Sequence, residues 1–430
     1  MQTDYRVNYS SIILMCSLYC SLAKETAFAQ AEILPKGIGI FEYWHRQYDN
    51  VDSYYNEDGQ KKSIGSQFDS NLSGGSLVNG KFGEDLQTLA MELNQYSPDG
   101  TEPLGDSLSL GEIKGDVDAK ITVRAFGFGY GLTNRWTVFF GVPVVKADVK
   151  ADVHVTGVNN ALNIRDRLGD LAFTEINDGL LLASKVSSSE IKEQILANGY
   201  HSIDRWQRTD YGDLRVGART GYSYKVWEGV IGANYTLMST LPTGYKDDPN
   251  HLTDIPFGKD YASLLLSFSP SYTYRSRFAI SGDFSYQYNF DAKSERRVPE
   301  KEETLVAAER SVAVNYNPGD DVSGSLKVKY DFGIIDIESV VGMEKHYQDR
   351  YSGSLDGNYS YLAKGSDSQN FYQNYGVGID TIDLYKQGRF FYPMRIKLSR
   401  HKTISATNFI DQHFYQLSLS NFLSNPYHRD

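Results

Sequence analysis

The sequence predicts an all-β protein: a transmembrane antiparallel up-and-down β-barrel of about twelve strands, with long outer loops that carry short helices. Three observations predict it. The first is period-two patterning. Val117, Ala119, Ile121 and Val123 alternate with Asp118, Lys120, Thr122 and Arg124, and Val145, Ala147, Val149, Ala151, Val153 and Val155 alternate with Lys146, Asp148, Lys150, Asp152 and His154. Such alternation describes strands with one face buried. The second is the spacing of connections, in which tight turns alternate with long polar stretches, as in outer-membrane barrels. The third is composition. The chain has 32 tyrosines, 38 glycines and 21 phenylalanines against 12 prolines. Its mean hydropathy of −0.44 excludes a helical membrane protein. A barrel tolerates this polarity because only one face of each strand meets lipid, and tyrosine and phenylalanine suit its interfacial girdles. The competing reading is a soluble β-sandwich or a secreted lectin-like protein.

The elements follow in chain order. Residues 1–29 read as a signal peptide. Ile12 to Ala23 is an apolar run, and Ala27-Phe28-Ala29 matches the small-residue cleavage pattern, with Gln30 as the first mature residue. The run falls short of the ~20 residues that a spanning helix needs. Cys16 and Cys20, the two cysteines, both lie inside this segment, so the mature chain offers no thiol chemistry. Residues 30–430 read as a single barrel domain.

The first strand is expected near 37–48, and the second and third flank Thr133-Asn134-Arg135. The fourth (213–224) and fifth (230–240) flank 225–229, and the sixth (261–274) and seventh (278–290) flank 275–277. The eighth (310–316) and ninth (322–330) flank Asn317-Pro318-Gly319-Asp320. The tenth (372–385) and eleventh (389–399) flank Lys386-Gln387-Gly388, and the twelfth is near 408–422. The turn residues are those that favour turns. The long connections are 49–115, 158–210, 242–260, 291–309, 331–371 and 400–407. Short inner turns against long outer loops place both termini in the periplasm of a bacterial outer membrane.

Two outer loops are expected to hold helices. Phe82, Leu86, Leu89 and Leu93 recur at helical spacing before Pro98. Ser187 and Glu190 form a capping box ahead of Ile191 and Ile195, with Gly199 as the stop. These helices either narrow the barrel or simply cover its mouth.

Charges on the period-two faces supply the candidate site. A charge on the lipid face costs ~2–4 kcal/mol at mid-membrane, so inward is the expected side. This assigns Glu42 and Arg46 to the first strand's lumen face. It assigns Asp118, Lys120 and Arg124 to the second and Lys146, Asp148, Lys150 and Asp152 to the third. Arg215, Arg219 and Asp283 follow, with Asp213 beside them. Lys327, Lys329, Arg395 and Lys397 complete the set. These residues would line a pore and set its selectivity, or form cross-strand ion pairs that stiffen the wall.

A resemblance adds to this. Phe128-Gly129-Tyr130-Gly131-Leu132-Thr133-Asn134-Arg135-Trp136, Gly212-Asp213-Leu214-Arg215-Val216-Gly217 and Leu241-Pro242-Thr243-Gly244 resemble stretches of the phenol-degradation meta-pathway family of outer-membrane transporter-like proteins. The resemblance spans about residues 120–290. It implies a barrel that takes up small, often aromatic or hydrophobic compounds. The residues themselves account for the glycines structurally: Gly129 and Gly131 would let a strand end bend, and Gly244 would supply a positive φ. Pro143, Pro242, Pro270 and Pro393 would mark strand ends or bulges.

Catalysis has little support. The eight histidines form no H-x-x-H pattern, and no G-x-S-x-G elbow is present. No enzyme activity, cofactor or metal is expected. A net charge of −11 without a basic run argues against nucleic acid. The expected partners are outer-membrane lipid and lipopolysaccharide, the barrel assembly machinery and a small-molecule solute. The expected function is an outer-membrane channel for small solutes. The alternative is a non-transporting structural protein or adhesin acting through its loops.

Overall fold

The structure is a computed structural model and describes residues 33–78, 84–97, 103–169, 173–300 and 305–423. The segment expected to be a signal peptide, with both cysteines, and Phe82, Pro98 and the polar tail lie outside the described residues.

Twelve strands close on themselves. They are β1 (Gly39–Tyr48), β2 (Ser109–Gly131), β3 (Trp136–Asn159), β4 (Leu214–Val226), β5 (Gly229–Leu241) and β6 (Ser263–Tyr274). Then come β7 (Phe278–Asn289), β8 (Asp321–Asp331), β9 (Ile335–His346), β10 (Ser368–Asp380), β11 (Met394–Thr407) and β12 (His413–Leu423). Each pairs antiparallel with the next, and β12 returns to β1 from Gly39↔Leu423 to Tyr48↔Phe414. Closure removes the edges of the twelve-stranded ring, which is what hydrocarbon demands of a spanning sheet.

The outer faces carry the apolar band. Leu237, Leu266, Phe284, Leu326, Ile337 and Leu398 are all exposed. Tyr222, Tyr224, Trp227, Tyr330 and Trp136 crowd the end of the tight turns, and Tyr211, Tyr286 and Tyr288 the end of the long loops. These are the two aromatic girdles.

One expected hairpin is wrong although the strand total is right. Residues 311–317 do not enter the barrel; they pair with Ala292–Arg297 in a small rim sheet. The hairpin is instead β8–β9, turning at Phe332-Gly333, where Gly333 has φ 110° and its amide donates to Asp331 Oδ1 at 2.6 Å. Asn317-Pro318-Gly319-Asp320 is a strong turn signal, but here it makes a corner in a loop. β9 was therefore read as loop. The β6–β7 turn closes without glycine: Arg275 and Ser276 both sit at positive φ, 48° and 56°. Glu228 from the neighbouring turn pairs with Arg275 at 2.7 Å.

β2 and β3 are 23 and 24 residues long, about twice the ~9–11 residues that cross a bilayer. Their upper halves project beyond the lipid band. Even-numbered residues keep the outward face throughout. Phe126, Tyr130, Trp136 and Phe140 are exposed there in the lower half. Lys120, Arg124, Lys146 and Lys150 are exposed on the same face above. Asp118, Lys120, Arg124, Lys146, Asp148, Lys150 and Asp152 therefore point away from the lumen. Their alternation predicts an inward face only where lipid runs along the whole strand. Above the lipid, the outward face meets water and charge costs little, so the aliphatic face turns inward instead.

That inward face is roofed. Val117, Ala119, Ile121, Val145, Ala147 and Val149 share one buried core with Leu86, Leu89 and Leu93 of helix Glu84–Leu93. Ile164, Ile176, Leu180, Ile191 and Ile195 join them from helices Ala161–Leu168, Thr174–Ala183 and Ser188–Ala197. The Ser187 cap is present, its Oγ accepting from the Glu190 amide at 3.4 Å. The loop helices therefore lie over the mouth.

Exposed Ser189 sits in this cap, and exposed Asn134 in a turn at the opposite end. With the loops facing outward, Ser189→Cys in intact cells should react with a membrane-impermeant maleimide. Asn134→Cys should react only after the membrane is broken. The reverse pattern would invert the barrel.

Candidate functional site: a charged lumen beneath a loop cap

The lumen has two unlike walls. Trp44, Ala125, Phe139, Met238 and Leu265 form an apolar cluster on one side. Across from them, β7 to β11 present charge. Of the residues that sequence placed inward, Glu42, Arg46, Arg215, Arg219, Asp283, Lys327, Lys329, Arg395 and Lys397 do lie on the inner face, alternating with exposed apolar neighbours such as Val216, Phe284, Leu326, Val328 and Leu398.

Most of the basic groups are answered. Lys397 pairs with Glu338. Lys329 meets Asp336 at 3.1 Å and Arg395 meets Asp380 at 2.7 Å. Arg219 donates to Thr236 Oγ1 at 2.9 Å, and Asp283 accepts from Ser269 Oγ at 2.5 Å. Arg46 grips Gln416 through two nitrogens at 3.0 and 2.8 Å. Asp336, Glu338 and Glu344 were missed because β9 was read as loop. The signal was available over four residues: Ile335 and Ile337 alternate with Asp336 and Glu338.

A layer of rings lies toward the loop end. His401 stacks on Phe414 at 4.5 Å and on Tyr372 at 5.0 Å, and the Arg46 guanidinium sits 4.3 Å from the Phe414 ring centre. No single strand pattern reveals this layer, since it is assembled across β1, β10, β11 and β12. At the turn end, Leu34 enters the lumen, 2% exposed, with its amide on Thr137 Oγ1 at 2.8 Å. Gly131 makes room for it: a Cβ there would fall 2.1 Å from the Pro35 carbonyl oxygen. Its role is close approach rather than bending. Between the two ends a cavity of about 410 Å³ remains, lined by Ser281, Asp283, Lys327, Glu338, Arg395 and Lys397 among others.

The glycine-rich stretches around 212 and 242 join one another physically. The Leu214 amide donates to Thr243 Oγ1 at 2.9 Å. Asp213 accepts the amides of Gly244 and Lys259 at 3.0 and 2.9 Å, so it is a loop clamp rather than a pore group. Gly244 is not at positive φ; a Cβ there would meet Gly258 Cα at 2.7 Å. The node fastens residues 242–262 to the rim. Pro143, within β3, marks where that strand's neighbour changes from β4 to Arg205–Tyr211, and its carbonyl accepts the Gly212 amide at 2.8 Å. Pro270 stays in register inside β6 rather than forming a bulge. Another rim tie is Arg297, whose guanidinium donates to the carbonyls of Asn198, Gly199 and Val306 at 2.6–2.7 Å.

No family model matches the chain, and neither does any curated protein. The resemblance at residues 120–290 therefore rests on its own three stretches. Among solved structures, an outer membrane channel from Pseudomonas putida F1 is 11% identical, with a TM-score of 0.49, over 92% of this chain and 98% of that one. The toluene transporter TodX of P. putida is 10% identical, with a TM-score of 0.34, over 99% and 96%. The transport unit of the autotransporter AIDA-I from Escherichia coli is 8% identical, with a TM-score of 0.37, over 98% and 100%. Superpositions this loose carry no inference about function.

The rim loop contains a proton-sensitive group. Burial, helped by nearby Asp247, pushes the Asp254 carboxyl up to about 9. It accepts from the Tyr245 hydroxyl at 3.1 Å and the Asp248 amide at 3.0 Å. The folded loop thus holds a proton that the unfolded chain releases near pH 4, so loop stability should fall as pH rises from about 4 to about 9. Asp254→Asn should remove that dependence and protect residues 242–262 at pH 8. Hydrogen exchange across pH 5–9, corrected for intrinsic rates, reads both effects. Equal slopes in the two proteins would refute the assignment.

Proposed function

We propose that this chain is a bacterial outer-membrane channel through which small solutes pass. The single observation that supports it best is a closed barrel whose apolar outside encloses a charge-lined cavity of about 410 Å³. Lysines and carboxylates that face this internal space give a small polar solute groups to exchange for its water. The polar section would conduct ions and small hydrophilic solutes. The apolar cluster at Trp44 and Phe139, with the ring layer at Phe414, gives an aromatic or hydrophobic solute a surface to cross. Lipid, the barrel assembly machinery and a diffusible solute are the partners that this reading requires. The second reading is an adhesin or structural barrel, favoured by the well-packed loop cap over the mouth.

Planar bilayers decide between them, since only a channel gives unitary conductance that candidate solutes added to one side can block. Selectivity follows from the wall. Arg46, Arg215, Arg219, Lys327, Lys329, Arg395 and Lys397 are opposed by Glu42, Asp283, Asp336, Glu338, Glu344 and Asp380, so the native preference for anions should be weak. Lys327→Glu with Lys329→Glu should reverse it, by about twofold or more in the permeability ratio. The effect should shrink as the Debye length falls from ~10 Å at 0.1 M salt to ~3 Å at 1 M. A reversal potential across a salt gradient measures both, and an unaltered double variant would refute conduction past these lysines.

A further inference from the structure

The outward charges of β2 and β3 have a use of their own. Lys120 and Arg124 flank Thr122 on the outer face of β2, and Thr122 lies opposite Lys146 of β3. All three cations are exposed, and Thr122 is fixed by its hydrogen bond to Gln47 at 2.9 Å. Cross-strand and diagonal neighbours lie within about 5–8 Å, where like charges destabilise a sheet. Among the described residues, none of the three forms an ion pair. The nearest facing carboxylate, Asp148, is opposite Lys120 but already holds Arg205 through two bonds of 2.9 and 2.7 Å. A chain of net charge −11 thus keeps three cations together on an open face.

Their depth is the second observation. The next outward residue below Arg124 is Phe126, and Phe140 lies lower on β3; both are exposed and belong to the lipid band. The cluster therefore stands at the upper boundary of the hydrocarbon, on the loop side. An occupant must be anionic at the level of the cations and apolar beneath. We infer that Lys120, Arg124 and Lys146 form a docking site for the phosphate groups of an outer-leaflet phosphorylated glycolipid, whose acyl chains lie along Phe126 and Phe140. Lysine and arginine bind phosphate oxygens through charge-assisted hydrogen bonds. Basic groups at a membrane surface add affinity for anionic lipid roughly additively. The inference rests on the outer-membrane reading and assigns that barrel one lipid contact.

The test uses the full-length barrel purified from outer membranes in mild detergent. Native mass spectrometry measures binding of diphosphorylated lipid A and of its dephosphorylated form. The wild type should bind the first and not the second. Lys120→Gln with Arg124→Gln and Lys146→Gln should weaken it by about tenfold or more. Arg135→Gln with Lys225→Gln, at the turn end, should leave it unchanged. Heat-modifiable gel mobility and bilayer conductance report on assembly. Intact conductance with unchanged lipid binding in the triple variant overturns this site alone, whereas absent conductance in the wild type counts against the channel. If the triple variant fails to assemble, Arg124→Gln alone should give a partial loss, and none would overturn the site. Equal displacement of lipid A by millimolar inorganic phosphate would mean a free-anion site and also overturn it.

Discussion

The structure depends on one constraint: in hydrocarbon, every backbone N–H and C=O must find a partner inside the chain. The β1–β12 seam satisfies it. Ten register pairs, from Gly39↔Leu423 to Tyr48↔Phe414, join segments that are far apart in sequence. Before that seam closes, two long strand edges are open to any other chain. Once it closes, outer side chains can be apolar without exposing backbone. The inner face then becomes a separate compartment, where charge can be held if it is paired.

That compartment explains the chemistry of the wall. A lone cation in a narrow, poorly solvated space is costly, and carboxylates on neighbouring strands offset the cost. The pairs Lys329–Asp336 and Arg395–Asp380 join adjacent strands, and Lys397–Glu338 reaches from β11 to β9 across Gly376 of β10. They stiffen the barrel and leave the lumen nearly balanced in charge.

The hairpin β2–β3 shows how environment changes along an unbroken element. Its backbone ladder runs in register from Glu112↔Thr156 to Gly131↔Thr137. Parity never changes, yet the outward residue is Phe126 at one level and Arg124 at the next. Lipid ends there. Above it the inner face needs a cover, and the helices of two long loops provide one. The cap exists because two strands outgrow the membrane.

Barrel class, strand total, loop asymmetry and the Ser187 helix start were legible in the sequence, because alternation, turn chemistry and capping are local signals. The inward set on β1, β4, β7, β8 and β11 was legible too, since those strands lie within lipid and one face must be apolar. Which face meets lipid on β2 and β3 was not, because that depends on how far each strand rises above its neighbours. β9 was hidden behind a stronger turn signal at Asn317–Asp320 than at Phe332-Gly333. The Tyr372–His401–Phe414 layer and the clamp at Asp213 join residues that are remote in sequence, and only strand registration brings them together. Local patterning thus determined which residues could form strands. The tertiary structure decided which side of each strand met lipid, water or lumen, because that choice is made by neighbours and depth rather than by the residue itself.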